Sequence, residues 1–115
     1  MLNADFAHAM RHLVPDRLRR RWSDRKIESK RFSCSTFMIY LGVEGRYEEV
    51  AHHTIMMSRE YRDDLDAIEN RHELTEHPSF YLQNPCVTDP TLAPDGMSGL
   101  YVLVPVTHRH ENVDW

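Results

Sequence analysis

The sequence predicts an α+β fold, with a mostly antiparallel sheet of about four strands and helices packed on one face. The order of apolar patterns along the chain is helix, helix, strand, strand, helix, strand, strand. The stretch 33–41 is the longest β-prone segment and is apolar on both faces of its pleat. A length of 115 residues is enough to bury a core, and we expect a single domain over 1–115.

The first thirty residues predict two helices. Asp5 is placed to cap the first, in which apolar residues recur at i, i+4, i+7 and i+8 from Phe6. Pro15 ends this helix. Because proline suits the first turn of a helix, Pro15 is also expected to open a second helix that runs to about Lys30.

The stretch 33–41 predicts a buried central strand that ends at the turn containing Gly42 and Gly45. Such a strand needs cover on both sides. The chain's own helices can supply one cover, and the other could be more protein, a partner or an apolar ligand.

The rest of the chain predicts three further strands, at 52–57, 79–84 and 100–107. Pro105 has no N–H to give to a ladder, so its end of the last strand is expected at an edge or a bulge. A helix capped by Ser58 is predicted over 59–71, with an apolar stripe of Tyr61, Leu65 and Ile68. Asp89 is expected to close a turn within the proline-rich loop.

Hydropathy argues against a membrane-spanning or secreted protein, and cysteine spacing argues against a disulfide. No apolar run approaches the roughly 18 residues of a spanning helix, and the N-terminus has no apolar signal core, so we expect a non-spanning, unsecreted protein. Cys34 is expected to be a small apolar filler in the buried strand. Because Cys34 and Cys86 are far apart in sequence, both are expected to be free thiols.

The charge is unevenly distributed. Nine of the fourteen Lys and Arg residues lie between Arg11 and Arg31, although the net charge is −4. This pattern allows a solvated helix face, a contact with anionic lipid headgroups, or nucleic-acid binding. No aromatic interleaving or known nucleic-acid motif accompanies the arginines, so we expect no nucleic-acid partner.

The eight histidines do not predict a metal site. His52 and His53 are adjacent on a predicted strand, where they should point to opposite faces. His8 and His12 share a helix face, but no third ligand follows at a usual spacing. No glycine-rich phosphate motif and no catalytic residue stand out, so the residues by themselves support an α+β domain without an assigned chemistry.

Five ordered segments carry a resemblance to a known family. They are 33–42 (SCSTFMIYLG), 52–55 (HHTI), 78–85 (PSFYLQNP), 87–94 (VTDPTLAP) and 100–105 (LYVLVP). With them the chain resembles the bacterial-type phytoene desaturases, which are FAD-dependent carotenoid desaturases and related carotene oxidoreductases. Members of that family are several times longer, and this chain contains neither their Rossmann fingerprint nor their second glycine-rich FAD segment. The resemblance therefore implies an interior fragment.

The resemblance also implies where this fragment belongs. Asn3, Ala4 and Asp5 would lie beside the FAD, and the remainder would belong mainly to the substrate-binding domain. FAD is expected in the full-length parent, and this chain alone is expected to hold none. The full enzyme would remove two hydrogens from a saturated carbon pair, with a hydride passing to the flavin. The isolated chain is expected to be inactive.

A sheet that is apolar on both faces could wall a tunnel for the polyene substrate. The wall candidates are Phe37, Ile39, Tyr40, Phe80, Leu82, Tyr101 and Leu103, and each of them could equally be plain core. The basic second helix would meet anionic lipid, which implies a cytoplasmic protein peripheral to the inner face of the membrane. Its partners would be the carotenoid, that membrane surface and the remainder of the parent enzyme. The alternative is a stand-alone, non-enzymatic domain that binds a hydrophobic ligand or another protein.

Overall fold

A computed structural model describes residues 1–114, which form two compact units. The first unit is Met1–Phe32, and the second begins at Ser33. The expectation of one domain over 1–115 stays a prediction.

The first unit contains three short helices. They are α1 (Phe6–His8), which continues as a π-helical turn over Ala9–Leu13, α2 (Asp16–Arg19) and α3 (Asp24–Glu28). The Asp5 carboxylate accepts a hydrogen bond from the His8 backbone N–H at 2.9 Å, which confirms the predicted cap. The rings of Phe6 and Trp22 meet edge to face with centroids 4.8 Å apart.

The single helix predicted from Pro15 to Lys30 is wrong. Two helices occupy this range, because Arg20 takes a φ of 51°, which a continuous right-handed helix cannot contain. The Ser23 hydroxyl then caps α3 by accepting a hydrogen bond from the Lys26 N–H at 3.4 Å. The helix-favouring composition of residues 15–30 does not reveal this positive φ.

The second unit contains the sheet and one longer helix. Its elements are β1 (Ser35–Glu44), β2 (His53–Met56), α4 (Tyr61–Asp66), which continues as a π-helical turn over Ala67–Arg71, β3 (Phe80–Gln83) and β4 (Met97–Val106). The strands lie in the order β1-β4-β3-β2, and every neighbouring pair is antiparallel. The predicted α+β class and four-stranded antiparallel sheet are confirmed.

The predicted burial and central position of β1 are wrong. β1 lies at one edge of the sheet, is exposed along nearly its whole length, and runs through Gly42 to Glu44. The turn falls at Gly45, whose φ is 98°. The interior strands are β4, which pairs with β1 and β3, and β3, which pairs with β4 and β2. Apolar composition identified the strand, but only long-range pairing decides which strand is central.

Pro105 lies where β4 has one neighbour. The last β4 residue paired with β3 is Leu103, and beyond it β4 pairs only with β1. The prediction that proline marks an edge position is therefore confirmed locally.

The predicted helix over 59–71 is confirmed, with a later start. Glu60 is the N-cap residue in place of the predicted Ser58, whose hydroxyl accepts a hydrogen bond from the Glu60 N–H at 3.1 Å. Asp89 closes the predicted turn by accepting a hydrogen bond from the Thr91 N–H at 3.0 Å.

The two cysteines occupy different environments. Both thiols are free, as predicted. Cys86 is buried, but Cys34 is exposed and precedes β1, so its predicted role as a buried filler is wrong. Among residues 1–114, no helix has the length and apolar character needed to cross a membrane.

Candidate functional site

The strand register assigns the sheet side chains to two faces. Ile39 pairs with Val102, and Val102 pairs with Leu82, so these three lie on one face. We call this the apolar face; it comprises Phe37, Ile39, Leu41, Met56, Phe80, Leu82, Leu100, Val102 and Val104. The opposite, aromatic face comprises Met38, Tyr40, His53, Ile55, Tyr81, Tyr101 and Leu103.

The seven predicted wall residues divide between these faces. Four lie on the apolar face: Phe37, Ile39, Phe80 and Leu82. Three lie on the aromatic face: Tyr40, Tyr101 and Leu103. The sheet therefore does not bring all seven to one wall, because side chains alternate along every strand.

The apolar face is open along the edges of the sheet. Phe37 is 52% exposed and Ile39 is 39% exposed on β1, and Met56 is 51% exposed on β2. Leu82 and Val102, in the middle of the sheet, are half-buried. A continuous apolar surface of this kind is characteristic of a binding site or an interface.

The aromatic face carries a row of rings that crosses all four strands. The ring centroids of Tyr40 and Tyr101 are 5.2 Å apart, those of Tyr101 and Tyr81 are 6.0 Å apart, and those of Tyr81 and His53 are 5.9 Å apart. The Tyr81 hydroxyl and the His53 Nδ1 are within hydrogen-bond distance, at 2.6 Å. These contacts join the edge strands to the centre of the sheet.

A cleft of about 310 Å³ lies between α4 and the aromatic face. The predicted helix stripe of Tyr61, Leu65 and Ile68 lines it from α4, and Leu103 lines it from the sheet. The helix therefore covers this face, as the sequence predicted for one face. Asp64 also lines the cleft and is only 6% exposed; its carboxylate accepts hydrogen bonds from the backbone N–H and hydroxyl of Ser79 at 3.3 and 3.4 Å.

Asn84 organises the loops at one end of the sheet, a role that the sequence reasoning missed. It is fully buried, and its amide Nδ2 donates hydrogen bonds to the carbonyls of Tyr47 at 2.9 Å and Val50 at 3.3 Å. Its Oδ1 has no hydrogen-bond partner within residues 1–114. An asparagine directly before Pro85 at the end of a strand was the available signal.

The histidine pair His52 and His53 does not diverge as predicted. Their ring centroids lie 4.3 Å apart, because β2 begins only at His53 and strand alternation does not govern His52. The His52 Nδ1 lies 2.6 Å from the Thr88 hydroxyl. In the part of the chain that the structure describes, no three His, Cys, Asp or Glu side chains are placed to hold a metal ion.

A second histidine cluster joins His72, at the end of the π-helical turn after α4, to His108 and His110, which follow β4. The ring centroid of His72 lies 4.3 Å from that of His110 and 4.8 Å from that of His108. Desolvation lowers the pKa of His72, and the neighbouring His110 and His108 lower it further, against a smaller opposing effect of Glu69. The His72 Nδ1 is 3.0 Å from the hydroxyl of the buried Thr107.

Asn3, Ala4 and Asp5 are exposed residues of the first unit. The Asp5 carboxylate already caps α1, which has only three residues before its π-helical turn. An FAD pyrophosphate normally rests on a glycine-rich turn at the start of a longer helix. These residues do not form such a cradle by themselves.

No family model matches the chain. Curated relatives align over the whole or nearly the whole of it, and three of them illustrate the match. A 4,4'-diapophytoene desaturase (4,4'-diapolycopene-forming) of Methylomonas sp is 42% identical over 115 residues, covering 100% of this chain and 22% of that protein. An all-trans-zeta-carotene desaturase of Myxococcus xanthus is 47% identical over 118 residues, covering 100% of this chain and 22% of that protein.

The third relative, a lycopene-forming phytoene desaturase of Pantoea ananas, is 40% identical over 114 residues, covering 98% of this chain and 23% of that protein. The chain spans about 22% of the length of the curated relatives it matches. Agreement at this level among relatives that share one chemistry confirms the resemblance seen in the sequence. The chain belongs to the phytoene and carotenoid desaturase family and corresponds to a fragment of the proteins in it.

Proposed function

We propose that this chain is the polyene-binding part of an FAD-dependent carotenoid desaturase, and that its apolar face forms one wall of the substrate tunnel. The observation that carries the proposal is the open apolar face, on which Phe37 and Ile39 stay exposed at one edge and Met56 at the other. A stable protein covers such a surface with a ligand or with more protein.

The chemistry of a carotenoid matches this surface. A conjugated polyene is long, flat and without hydrogen-bonding groups, so it gains most from a dry apolar wall. Each square ångström of apolar surface removed from water contributes roughly 25 cal/mol. A sheet offers a broad, nearly flat face on which side chains from neighbouring strands form continuous rows.

Of the seven wall candidates, we assign Phe37, Ile39, Phe80 and Leu82 to the tunnel, because these four share the apolar face. Leu103 lines the cleft beneath α4 on the other face, and Phe80, the first residue of β3, also borders that cleft. Tyr40 and Tyr101 pair on the aromatic face and hold β1 against β4. Opposite faces of one sheet cannot line the same tunnel.

The flavin belongs, in this proposal, to the rest of the parent enzyme, which would supply the redox chemistry when FAD is bound. Asn3, Ala4 and Asp5 would lie near it without cradling it. This chain's own contribution is to bind the substrate, orient it and exclude water.

A matched pair of variants tests the wall. Ile39 and Met38 are adjacent on β1, are both 39% exposed, and lie on opposite faces. In a chimera, this chain replaces the matching segment of the Methylomonas relative, and the conversion of 4,4'-diapophytoene is followed by absorbance. We expect Ile39→Ser to raise KM about fivefold or more, through about 1 kcal/mol of lost apolar contact.

Met38→Ser should change KM less than twofold in the same chimera. Circular dichroism and the expression yield check that both variants fold. Equal effects of the two substitutions, or a larger effect of Met38→Ser, would overturn the assignment of the apolar face.

We also propose that the first unit touches anionic lipid through exposed arginines. Of Arg19, Arg20 and Arg21, only the last two have exposed side chains that could meet a lipid surface. Arg19 is bound to Asp16 and Asp24, and its side chain is only 13% exposed. Arg20 and Arg21 are exposed, and the Arg21 guanidinium lies 5.3 Å from the centroid of the Trp22 ring. Tryptophan is enriched at membrane–water interfaces, and arginines near an anionic leaflet are attracted to it.

Flotation of the 115-residue chain with phosphatidylglycerol vesicles tests this contact. Arg20→Gln with Arg21→Gln should weaken binding about 30-fold, since each arginine near an anionic surface contributes about 1 kcal/mol. Arg59→Gln with Arg62→Gln removes the same charge from exposed residues of the second unit and should have a much smaller effect. Similar losses in both double variants would reject a specific contact through the first unit.

A further inference from the structure

The outer edge of β1 is the most unusual surface of the second unit. All ten residues of β1 pair with β4, and no strand among residues 1–114 lies on its other side. Every second backbone N–H and C=O of an edge strand points outward, away from its single neighbour. A long edge of this kind is ready to accept another strand.

Only the last residue of β1, Glu44, is charged. Natural edge strands are commonly short, charged, bulged or interrupted by proline. Residues 35–43 contain no charge and no proline, and the exposed side chains include Phe37 and Tyr40. The other edge strand, β2, is different, because it has only four residues and starts at a histidine. The two edges are therefore not equivalent.

We propose that a strand from the remainder of the parent desaturase pairs with the free edge of β1 and makes the sheet one strand wider. This inference rests on the proposed function, because it takes the chain to work inside a longer polypeptide. The partner strand would be apolar on both faces. One set of its side chains would extend the tunnel wall beyond Phe37 and Ile39, and the other would pack beside Tyr40.

The length of the relatives indicates that the strand pairing with β1 comes from the same polypeptide. This chain spans 22% of the first two relatives, so most of such a protein lies outside it. A segment of the same polypeptide reaches β1 at a millimolar effective concentration, which a second copy of the chain does not reach at ordinary protein levels. Pairing with that segment also covers the outward-pointing backbone groups at the rim of the tunnel.

Hydrogen exchange of the β1 amides tests the inference, in the 115-residue chain and in the chimera with the Methylomonas relative. The β1 amides that do not bond to β4 should exchange about 100-fold more slowly in the chimera than in the isolated chain. The β4 amides are paired in both proteins and serve as the internal reference. Light scattering gives the oligomeric state of each sample.

Two results would overturn the inference. The outer β1 amides could exchange equally fast in both proteins, which would show that the parent leaves the edge open. Alternatively, the isolated chain could be a dimer whose outer β1 amides are already protected, which would make a second copy the occupant. The KM of the chimera tests the proposed function independently of hydrogen exchange. If the outer β1 amides are protected but Ile39→Ser leaves KM unchanged, the apolar face is not the tunnel wall, and the pairing of β1 with another strand still stands.

Discussion

Tyr40 and Tyr101 lie directly opposite each other across the β1–β4 ladder, with ring centroids 5.2 Å apart and planes inclined by 34°. Tyr40 remains 73% exposed even so, because β1 has a neighbour on one side only. The pair links the edge strand β1 to its neighbour β4, on the face of the sheet opposite the proposed tunnel wall. The interaction energy between the two rings contributes to the stability of β1 while no partner strand covers its outer edge.

A double-mutant cycle measures this pair. Tyr40→Ala and Tyr101→Ala should show a coupling of about 0.5–1 kcal/mol in the free energy of unfolding, as cross-strand aromatic pairs do. Urea denaturation followed by circular dichroism gives the four values. Simple additivity of the two substitutions would mean that the rings contribute no pairwise stabilisation.

Replacement of Asn84 should loosen the loops at one end of the sheet. Asn84→Ala removes the donor to the carbonyls of Tyr47 and Val50 and should lower the free energy of unfolding by about 2 kcal/mol, because two hydrogen bonds of a fully buried side chain are lost. Asn70→Ala is the control, since Asn70 is exposed and its amide donates a hydrogen bond to the Asp66 carboxylate on the helix surface. A loss below that of the control would contradict the role assigned to Asn84.

The glycines at the end of β1 should respond in opposite ways to alanine. Gly45 has a φ of 98°, so Gly45→Ala is strained and should cost about 1 kcal/mol or more of stability. Gly42 lies within β1, and a methyl group there meets no atom within 4 Å, so Gly42→Ala should be neutral or slightly stabilising. Thermal unfolding of the two variants side by side checks the difference, and equal melting temperatures would refute it.

The His72 cluster should make stability depend on pH. The folded state lowers the pKa of His72 below its ordinary 6.5, so the unfolded chain binds this proton more readily. The free energy of unfolding should therefore fall as the pH drops below about 6.5 and stop falling, for this group, below the folded pKa. Urea titrations between neutral and mildly acidic pH measure the slope.

His72→Asn should flatten that slope. Asparagine tolerates the left-handed backbone that His72 adopts, with φ 54° and ψ 56°, so the variant keeps the turn. His77→Asn removes an exposed histidine outside the cluster and should leave the slope as it is. An unchanged slope in His72→Asn would show that another group carries the dependence.

Local sequence features predicted the elements well. Asp5 capped its helix, the four strands and α4 formed where β-prone apolar runs and helical spacing placed them, and curated relatives confirmed the resemblance to carotenoid desaturases. Each of these signals is contained within a few neighbouring residues or a few short motifs. Such signals are present in the chain before it folds.

Long-range pairing and backbone conformation decided the rest. Composition could not show that β1 lies at an edge, since an apolar strand looks the same whether it has one neighbour or two. The positive φ of Arg20 that splits the second helix, and the convergence of His72 with His110, likewise depend on the folded chain.

The division of the wall candidates shows the same limit. The sequence by itself determined that Ile39 and Tyr40 sit on opposite sides of one strand, because strand side chains alternate. Only the tertiary structure decided which side α4 covers and which stays open, because that depends on where a helix more than twenty residues further along the chain packs against the sheet. Alternation is a local property of the backbone, and cover is a property of the whole fold.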